Sequence, residues 1–402
     1  MSVHQGFPRG HAALIENDAQ ALQVADELAA RFVRESSLRD RERRLPEEEL
    51  ELFSRAGLGA ITVPRAYGGA EVSNVTLAQV IARIARADAS LGHIPQNHFY
   101  ALEVLRVNGS PEQRRRLCGE VLAGARFGNA LAEIGTRTAQ ERSTRLRREG
   151  DGYRIHGRKF YATGALYAQR VPTLAIDDDG VQQLAFVDRR APGLEIVDDW
   201  DGFGQRTSAS GTVNFDGVPV AAEDVVPFQS AFARPTTVGP LAQLLHAAID
   251  AGIARAAWED TLAFVGRHAR PWIDAGVSRA AEDPLALQTL GRLTSRLHGA
   301  EALLERAGEF VDRAQAAPDA ESVAAASIAV AEARAATTEV ALDAANRLLE
   351  LGGSRATLAE HNLDRHWRNA RTHTLHDPVR WKYHAVGNYY LNDALPPRRG
   401  TI

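Results

Sequence analysis

Apolar residues recur at helical spacing along most of the chain and switch to alternation only in its middle. From Ala21 to Phe32, the positions Leu22, Ala25, Leu28, Ala29 and Phe32 return every three or four residues, the stripe of an amphipathic helix. Arg39 to Arg44 reads as a solvated charge run. Pro46 and the glutamates after it suit a first helical turn, and that helix carries Leu50 and Phe53 inward before stopping near Gly57. Asn74 is placed to cap a helix bearing Leu77, Val80, Ile81 and Ile84. Ser110-Pro-Glu-Gln113 combines a serine cap, a proline at the first position and a glutamine at the third. Residues 1–17 lack periodicity and read as a loose leader.

Between about residues 125 and 230 the period changes. Tyr153-Arg-Ile-His156, Leu184–Val187 and Thr212–Phe215 read as short strands, divided by Asp-Asp-Asp-Gly and Phe-Asp-Gly-Val-Pro turns. Helical spacing then returns over Pro240–Ala269, Leu285–Val311 and the alanine-rich Val323–Leu351, with Gly352-Gly353 as a C-cap. Once the next segment is included, these helices read as a four-helix bundle. The expected fold is α+β: an N-terminal helical domain over 1–124, a mostly antiparallel, β-barrel-like domain over 125–234, and a C-terminal bundle with its tail over 235–402.

Composition narrows the function classes. A length of 402 residues suffices for a large core, and a formal charge of -4 gives no electrostatic case for nucleic acid or an anionic membrane. No run of about 18 apolar residues and no apolar signal segment is present, so a cytoplasmic protein is expected. The single cysteine, Cys118, excludes an internal disulfide and a thiolate cluster. With Met1 the only methionine, the chain is sparing of sulfur, which suits a protein made when sulfur is short; drift explains it equally. Gly-x-Gly-x-x-Gly, Walker and His-Glu-x-x-His sequences are missing, and no metal is assigned.

The densest chemistry lies in Trp367-Arg-Asn-Ala-Arg-Thr-His-Thr-Leu-His-Asp-Pro378, either a solvated helix end or a functional lid. A second cluster, His93, Asn97 and His98, surrounds Pro95. Several segments, in order, resemble the acyl-CoA dehydrogenase fold over nearly the whole chain. They are Val63-Pro-Arg-Ala-Tyr-Gly-Gly69, Leu131-Ala-Glu-Ile-Gly-Thr136, Gly157-Arg-Lys-Phe160, Trp200-Asp-Gly-Phe-Gly-Gln-Arg-Thr-Ser208, Phe215-Asp-Gly-Val-Pro219, Gly352-Gly353 and Arg368-Asn-Ala-Arg371. Dehydrogenases of that fold commonly carry a glutamate base within Tyr-Glu-Gly, where this chain has His376-Asp377-Pro378. Arg371-Thr-His-Thr-Leu-His-Asp-Pro378 and Ser90-Leu-Gly-His93 instead resemble the flavin-dependent monooxygenase branch, which includes dibenzothiophene monooxygenase and SfnB-type proteins of sulfur acquisition.

That resemblance implies a reduced-flavin-dependent monooxygenase working through a C4a-(hydro)peroxyflavin on a small organosulfur compound and O2. It implies FMN, supplied reduced by a separate NAD(P)H-dependent flavin reductase, with FAD as the alternative, and a homotetramer. The implied catalytic residues are His376, His93, Asn129, Thr163 and His373, with His376 hydrogen-bonding or protonating the peroxide and Asp377 orienting a histidine. Flavin contacts fall to Phe160, Ala162, Thr163, Asn129, Gly352, Gly353, Arg368 and Arg371, the last four toward a neighbouring subunit's flavin. Asn97, His98 and Leu375 are assigned to the substrate pocket. An FAD-dependent acyl-CoA dehydrogenase and a non-catalytic assembly protein are the alternatives.

Overall fold

The computed structural model describes residues 12–138 and 141–402; the first eleven residues of the expected leader lie outside it. The N-terminal part is helical: α1 (Asp18–Glu42), α2 (Glu47–Arg55), α3 (Asn74–Ala87), α4 (Ala89–His93), α5 (Gln96–Asn108) and α6 (Pro111–Leu122). The α6 capping box forms as the sequence predicts, Ser110 Oγ accepting from Gln113 N while the Gln113 side chain accepts from Ser110 N. Two local readings are corrected. Ser73, not Asn74, caps α3; the Asn74 side chain is drawn away by Asp312 and Gln315. The charge run is helical as far as Glu42, where α1 ends, and Arg39 itself is buried, held by Asp88 at 2.9 Å and Glu49 at 2.8 Å. A buried guanidinium needs such partners, and those partners lie far along the chain.

The middle contains β1 (Arg145–Glu149), β2 (Gly152–Lys159), β3 (Arg170–Ile176), β4 (Gln182–Asp188), β5 (Leu194–Ile196), β6 (Val213–Ala221) and β7 (Val225–Pro227). They form one sheet in the order β5-β6-β2-β1-β3-β4-β7, antiparallel except for β1 beside β3. The expected barrel is not formed. Strands β5 and β7 stand at opposite edges and pair only inward, with β6 and β4, so the sheet stays open. At three residues each, these edge strands are too short to present a long unpaired ladder.

After the short α7 (Ser230–Ala233) come three long helices, α8 (Val238–Arg267), α9 (Pro284–Ala316) and α10 (Ala320–Gly352), then α11 (Asp364–His373) and α12 (Arg380–Asn392). Every residue of α8 from Val238 to Ala254 is buried, because α3, α5, α9, α10 and α11 surround it. Gly252 permits the close approach of α3, since a Cβ there would overlap the Ala82 carbonyl. A single apolar core joins the N-terminal helices to the bundle, whereas the sheet keeps its own around Leu146, Ile155, Val171 and Val218. The groove between these two cores holds the site.

Candidate functional site

The sheet-side wall is built by backbone pairing. Residues 127–130 run beside β3, with Gly128 N donating to Arg170 O at 2.9 Å and Ala130 N to Pro172 O at 3.0 Å. This places Asn129, whose Oδ1 accepts from Leu131 N at 3.0 Å and whose Nδ2 donates to Tyr161 O at 3.1 Å, leaving one amide hydrogen for the cavity. Tyr161 adopts φ 60, a costly conformation for a bulky residue and one that recurs at binding sites, and its half-exposed ring forms part of the wall. Beside it, Thr163 Oγ1 lies 2.7 Å from Ser210 Oγ, which lies 2.7 Å from Ser208 Oγ. A buried ion pair, Lys159 Nζ to Glu133 at 2.7 Å, ties the neighbouring loop to the end of β2. Burial alone would raise the Glu133 carboxyl, but hydrogen bonds from Lys159 and Ser143 pull it down to about 2. Burial pushes the Lys159 ammonium down to about 8 despite its partner.

The helix side carries a cluster of four imidazoles, of which those of His246 and His376 border the cavity. His93 ends α4, His246 lies in α8, His373 ends α11, and His376 sits in the turn that follows. Ring centroids of His93 lie 5.0 Å from both His373 and His376, and those of His246 and His376 are 4.8 Å apart. His373 Nδ1 donates to Asp250 Oδ1 at 2.5 Å, and His246 Nδ1 stands 3.1 Å from His373 Nε2. Asp250 is fully buried and is held in turn by Arg334 and by Thr338 Oγ1 at 3.1 Å. His376 Nδ1 donates to the His373 carbonyl at 2.7 Å, which leaves Nε2 of a neutral ring as an acceptor.

All four rings favour the neutral form. Burial lowers His93, His246 and His373 well below the ordinary histidine value, and mutual repulsion with a charged His376 adds to it. His376 is lowered mainly by burial, even though the ring is exposed to the cavity. A neutral His376 with Nδ1–H committed to a carbonyl accepts a hydrogen bond or a proton at Nε2. Of the two roles expected of His376, hydrogen-bonding and protonating, this geometry offers the acceptor side of the first at Nε2.

The two walls enclose a cavity of ≈ 960 Å³. That is at the upper end of the range of about 300–1,000 Å³ usual for small-molecule sites, enough for a flavin ring beside a small second ligand. Its outer rim is the C-terminal tail, residues 394–402, held by Gln243 Nε2 to Gly400 O at 2.8 Å and Lys382 Nζ to Thr401 O at 2.6 Å. Gln243 also donates to Asp377 Oδ2 at 2.9 Å and accepts from Lys382 at 3.0 Å. Burial lowers the Lys382 ammonium to about 8.

Asn97, Asn129, Thr163 and His376 reach the cavity wall, with His93 and His373 packed behind it. Among the described residues, neither ring nitrogen of His93 completes a hydrogen bond, although the buried and equally unpaired Gln205 amide faces it. Phe160 and Ala162 flank Tyr161 on the same segment. His98 is not a pocket residue: Nε2 donates to Gly59 O at 2.7 Å and Nδ1 accepts from Phe127 N at 3.0 Å, so both nitrogens serve the backbone. Leu375 is exposed and outside the wall. Gly352 packs against Phe264, and Gly353 caps α10 at φ 68. Arg368 is clamped by Asp40 and Asp364, while Arg371 Nε is buried without a hydrogen-bond partner among the described residues; none of these four borders the cavity of a single chain. Asp377 is tied to Gln243 and orients no histidine; Asp250 does that.

Tyr161, Gln243, His246, Asp250, Arg334 and Lys382 went unread in the sequence. A signal existed for most of them. Gln243, His246 and Asp250 follow at spacings of three and four in an otherwise apolar stretch, so they share one face of a helix whose other faces are also buried. Arg334 and Thr338 repeat the pattern in alanine-rich α10. Polar groups on a buried helix require partners, and here they find one another.

Comparison with known proteins agrees with this architecture. The family described as acyl-CoA dehydrogenase, N-terminal domain, matches residues 16–125, and acyl-CoA dehydrogenase, C-terminal domain, matches residues 244–381. Dibenzothiophene monooxygenase of Mycolicibacterium goodii is 33% identical over 391 residues, covering 93% of this chain and 94% of that protein. A probable FMNH2-dependent monooxygenase, SfnC of Pseudomonas putida, is 32% identical over 389 residues, covering 94% and 96%. The crystal structure of FMN-bound TdsC from Paenibacillus sp. A11-2 superposes with a TM-score of 0.91 at 32% identity, covering 95% of this chain and all of that one. Shared sequence over nearly their full length, on the same helical and sheet framework, shows that the chain belongs to the flavin-dependent monooxygenase branch of the acyl-CoA dehydrogenase fold superfamily.

Proposed function

We propose that the protein uses reduced FMN and O2 to oxygenate a small organosulfur compound. One observation carries this reading over dehydrogenation: the imidazoles of His246 and His376, not a free carboxylate, face the cavity. Among the described residues, Asp377 is the only side-chain carboxylate on that wall, and Gln243 holds it. Proton abstraction from an acyl thioester needs a positioned base of that kind. The residues present suit a flavin: Tyr161 and Thr163 offer a wall for the ring, and Asn129 Nδ2 and Thr163 Oγ1 offer hydrogen bonds without charge. When bound, the flavin supplies two electrons and the site at which O2 is activated.

The chain excludes water from that ring with the tail and the His376 turn, and presents His246 and His376 as proton acceptors. The balance is R2S + O2 + FMNH2 giving R2SO + FMN + H2O, one oxygen atom going to sulfur and the other leaving as water. The relatives' names and the sulfur-sparing composition support the substrate class. The reading includes a separate NAD(P)H-dependent flavin reductase, a homotetramer and a cytoplasmic setting. Among the described residues, no helix is long and apolar enough to cross a membrane.

The test supplies enzymatically reduced FMN and isotopically heavy O2 and screens sulfides, sulfoxides and sulfones by mass spectrometry. A product carrying one heavy oxygen atom is expected. No oxygenated product, together with bleaching of bound FAD by an acyl-CoA, overturns the reading.

A further inference from the structure

Buried in the bundle, behind the cavity wall, a polar chain runs Arg334–Asp250–His373–His246. Asp250 can only accept, so His373 carries its proton on Nδ1 and, being neutral, offers a lone pair at Nε2. His246 must then carry its proton on Nδ1 to meet that lone pair, which leaves Nε2 as its open nitrogen on the cavity side. Each tautomer is dictated by the group before it, and the first is dictated by Asp250. We infer that Asp250 and Arg334 are positioning residues which, through His373, hold His246 with Nε2 facing the cavity as a proton acceptor during oxygenation.

The step conserves protons. One of the two protons that reduced flavin brings is taken up at His246 Nε2 and matched by passage of the Nδ1 proton to His373 Nε2, so the positive charge rests on His373, beside the Asp250 carboxylate, until the transfers reverse and the proton leaves in the water formed. Arg334 fixes that carboxylate in place and, with Asp250, starts the chain from a neutral pair. His93 from α4, Arg334 from α10, His373, His376 and Lys382 also face His246; burial, the Arg334 and Lys382 cations, and the repulsion that a second proton in the cluster would meet disfavour a permanent proton there, so the site takes one and returns it. His246, His373 and His376 offer ligand atoms all within 4.8 Å of one another, the spacing of a potential metal site. Both nitrogens of His373 are already committed, however, and the hydrogen-bonded chain accounts for the cluster.

This inference rests on the proposed oxygenase reading, and its first test does not. Nitrogen-15 histidine labelling of the flavin-free protein, read by solid-state NMR, is expected to show His246 and His373 protonated at Nδ1, with Asp250→Asn shifting both toward Nε2. In turnover, Asp250→Asn is expected to lower kcat by roughly ten- to a hundred-fold, less than the cost of the corresponding change inside a directly acting triad. KM for the sulfur compound should stay within about twofold, hydrogen peroxide release per turnover should rise and the pH profile should shift. Asp250→Glu should restore part of kcat. Should Asp250→Asn fail to fold, His246→Asn, on the cavity wall, is expected to give the same loss and profile change. An Nε2-protonated His246 in the unaltered protein, a stoichiometric bound metal, or wild-type kcat and pH profile in folded Asp250→Asn or His246→Asn would each overturn the inference. If no substrate is oxygenated at all, the oxygenase reading fails while the tautomer result stands.

Discussion

Two histidines five positions apart show how residue type and role separate. His93 and His98 flank the same proline, yet His98 is spent on backbone groups while His93 joins the imidazole cluster. Burial lowers His98 to about 4, against 6.5 in the unfolded chain. The unfolded state therefore binds this proton first: the contribution of His98 to stability is whole above pH 6.5 and is lost as pH falls toward 4. Urea unfolding across that window should show His98→Asn flattening the slope by up to about 1.4 kcal/mol per pH unit, the weight of one proton, whatever its effect on absolute stability. For His376, the direct contact with the cavity makes His376→Ala the informative change. Product formation should fall by about a hundredfold, the scale of general acid–base assistance, with the circular dichroism spectrum intact; unchanged turnover would remove His376 from the chemistry.

At the level of elements, helices were legible and their partners were not. The Ser110 capping box and the Gly353 cap are local chemistry, so both ends could be read from neighbouring residues. Asn74 was misread because Asp312 and Gln315, remote in sequence, claim its side chain. The open sheet was misread for the same reason: alternation marks a strand but carries no record of which strand lies beside it. A close contact with the loop after β5 braces α11, ahead of the His376 turn. Gly204 lies against α11 so closely that a Cβ would overlap the Arg368 carbonyl, and Gln205 N donates to Asn369 Oδ1 at 2.7 Å beside it. Gly204→Ala should therefore displace α11, lowering stability by about 1–3 kcal/mol in denaturant titration and activity by more than that loss explains.

On the scale of the whole molecule, the site exists only between two cores, with the tail across its mouth. Gln243 and Lys382 are buried, and their tail partners are the Gly400 and Thr401 carbonyls. Deleting residues 394–402 should leave both groups facing solvent and the cavity open. A rise in KM of roughly tenfold and more hydrogen peroxide per product are expected from steady-state assays with paired peroxide detection; unaltered coupling would show that the tail does not shield the flavin site.

Sequence by itself determined the order of helical and strand segments, some helix ends such as those at Ser110 and Gly353, and the stretch from Trp367 to Pro378 that holds His373 and His376, because periodicity, caps and motif order are properties of neighbouring residues. Tertiary structure decided which polar groups meet. Gln243, His246 and Asp250 on α8, Arg334 on α10 and His373 on α11 become one network only when these helices pack. Burial then removes water as a partner, and each group must take its proton and its hydrogen bonds from the others.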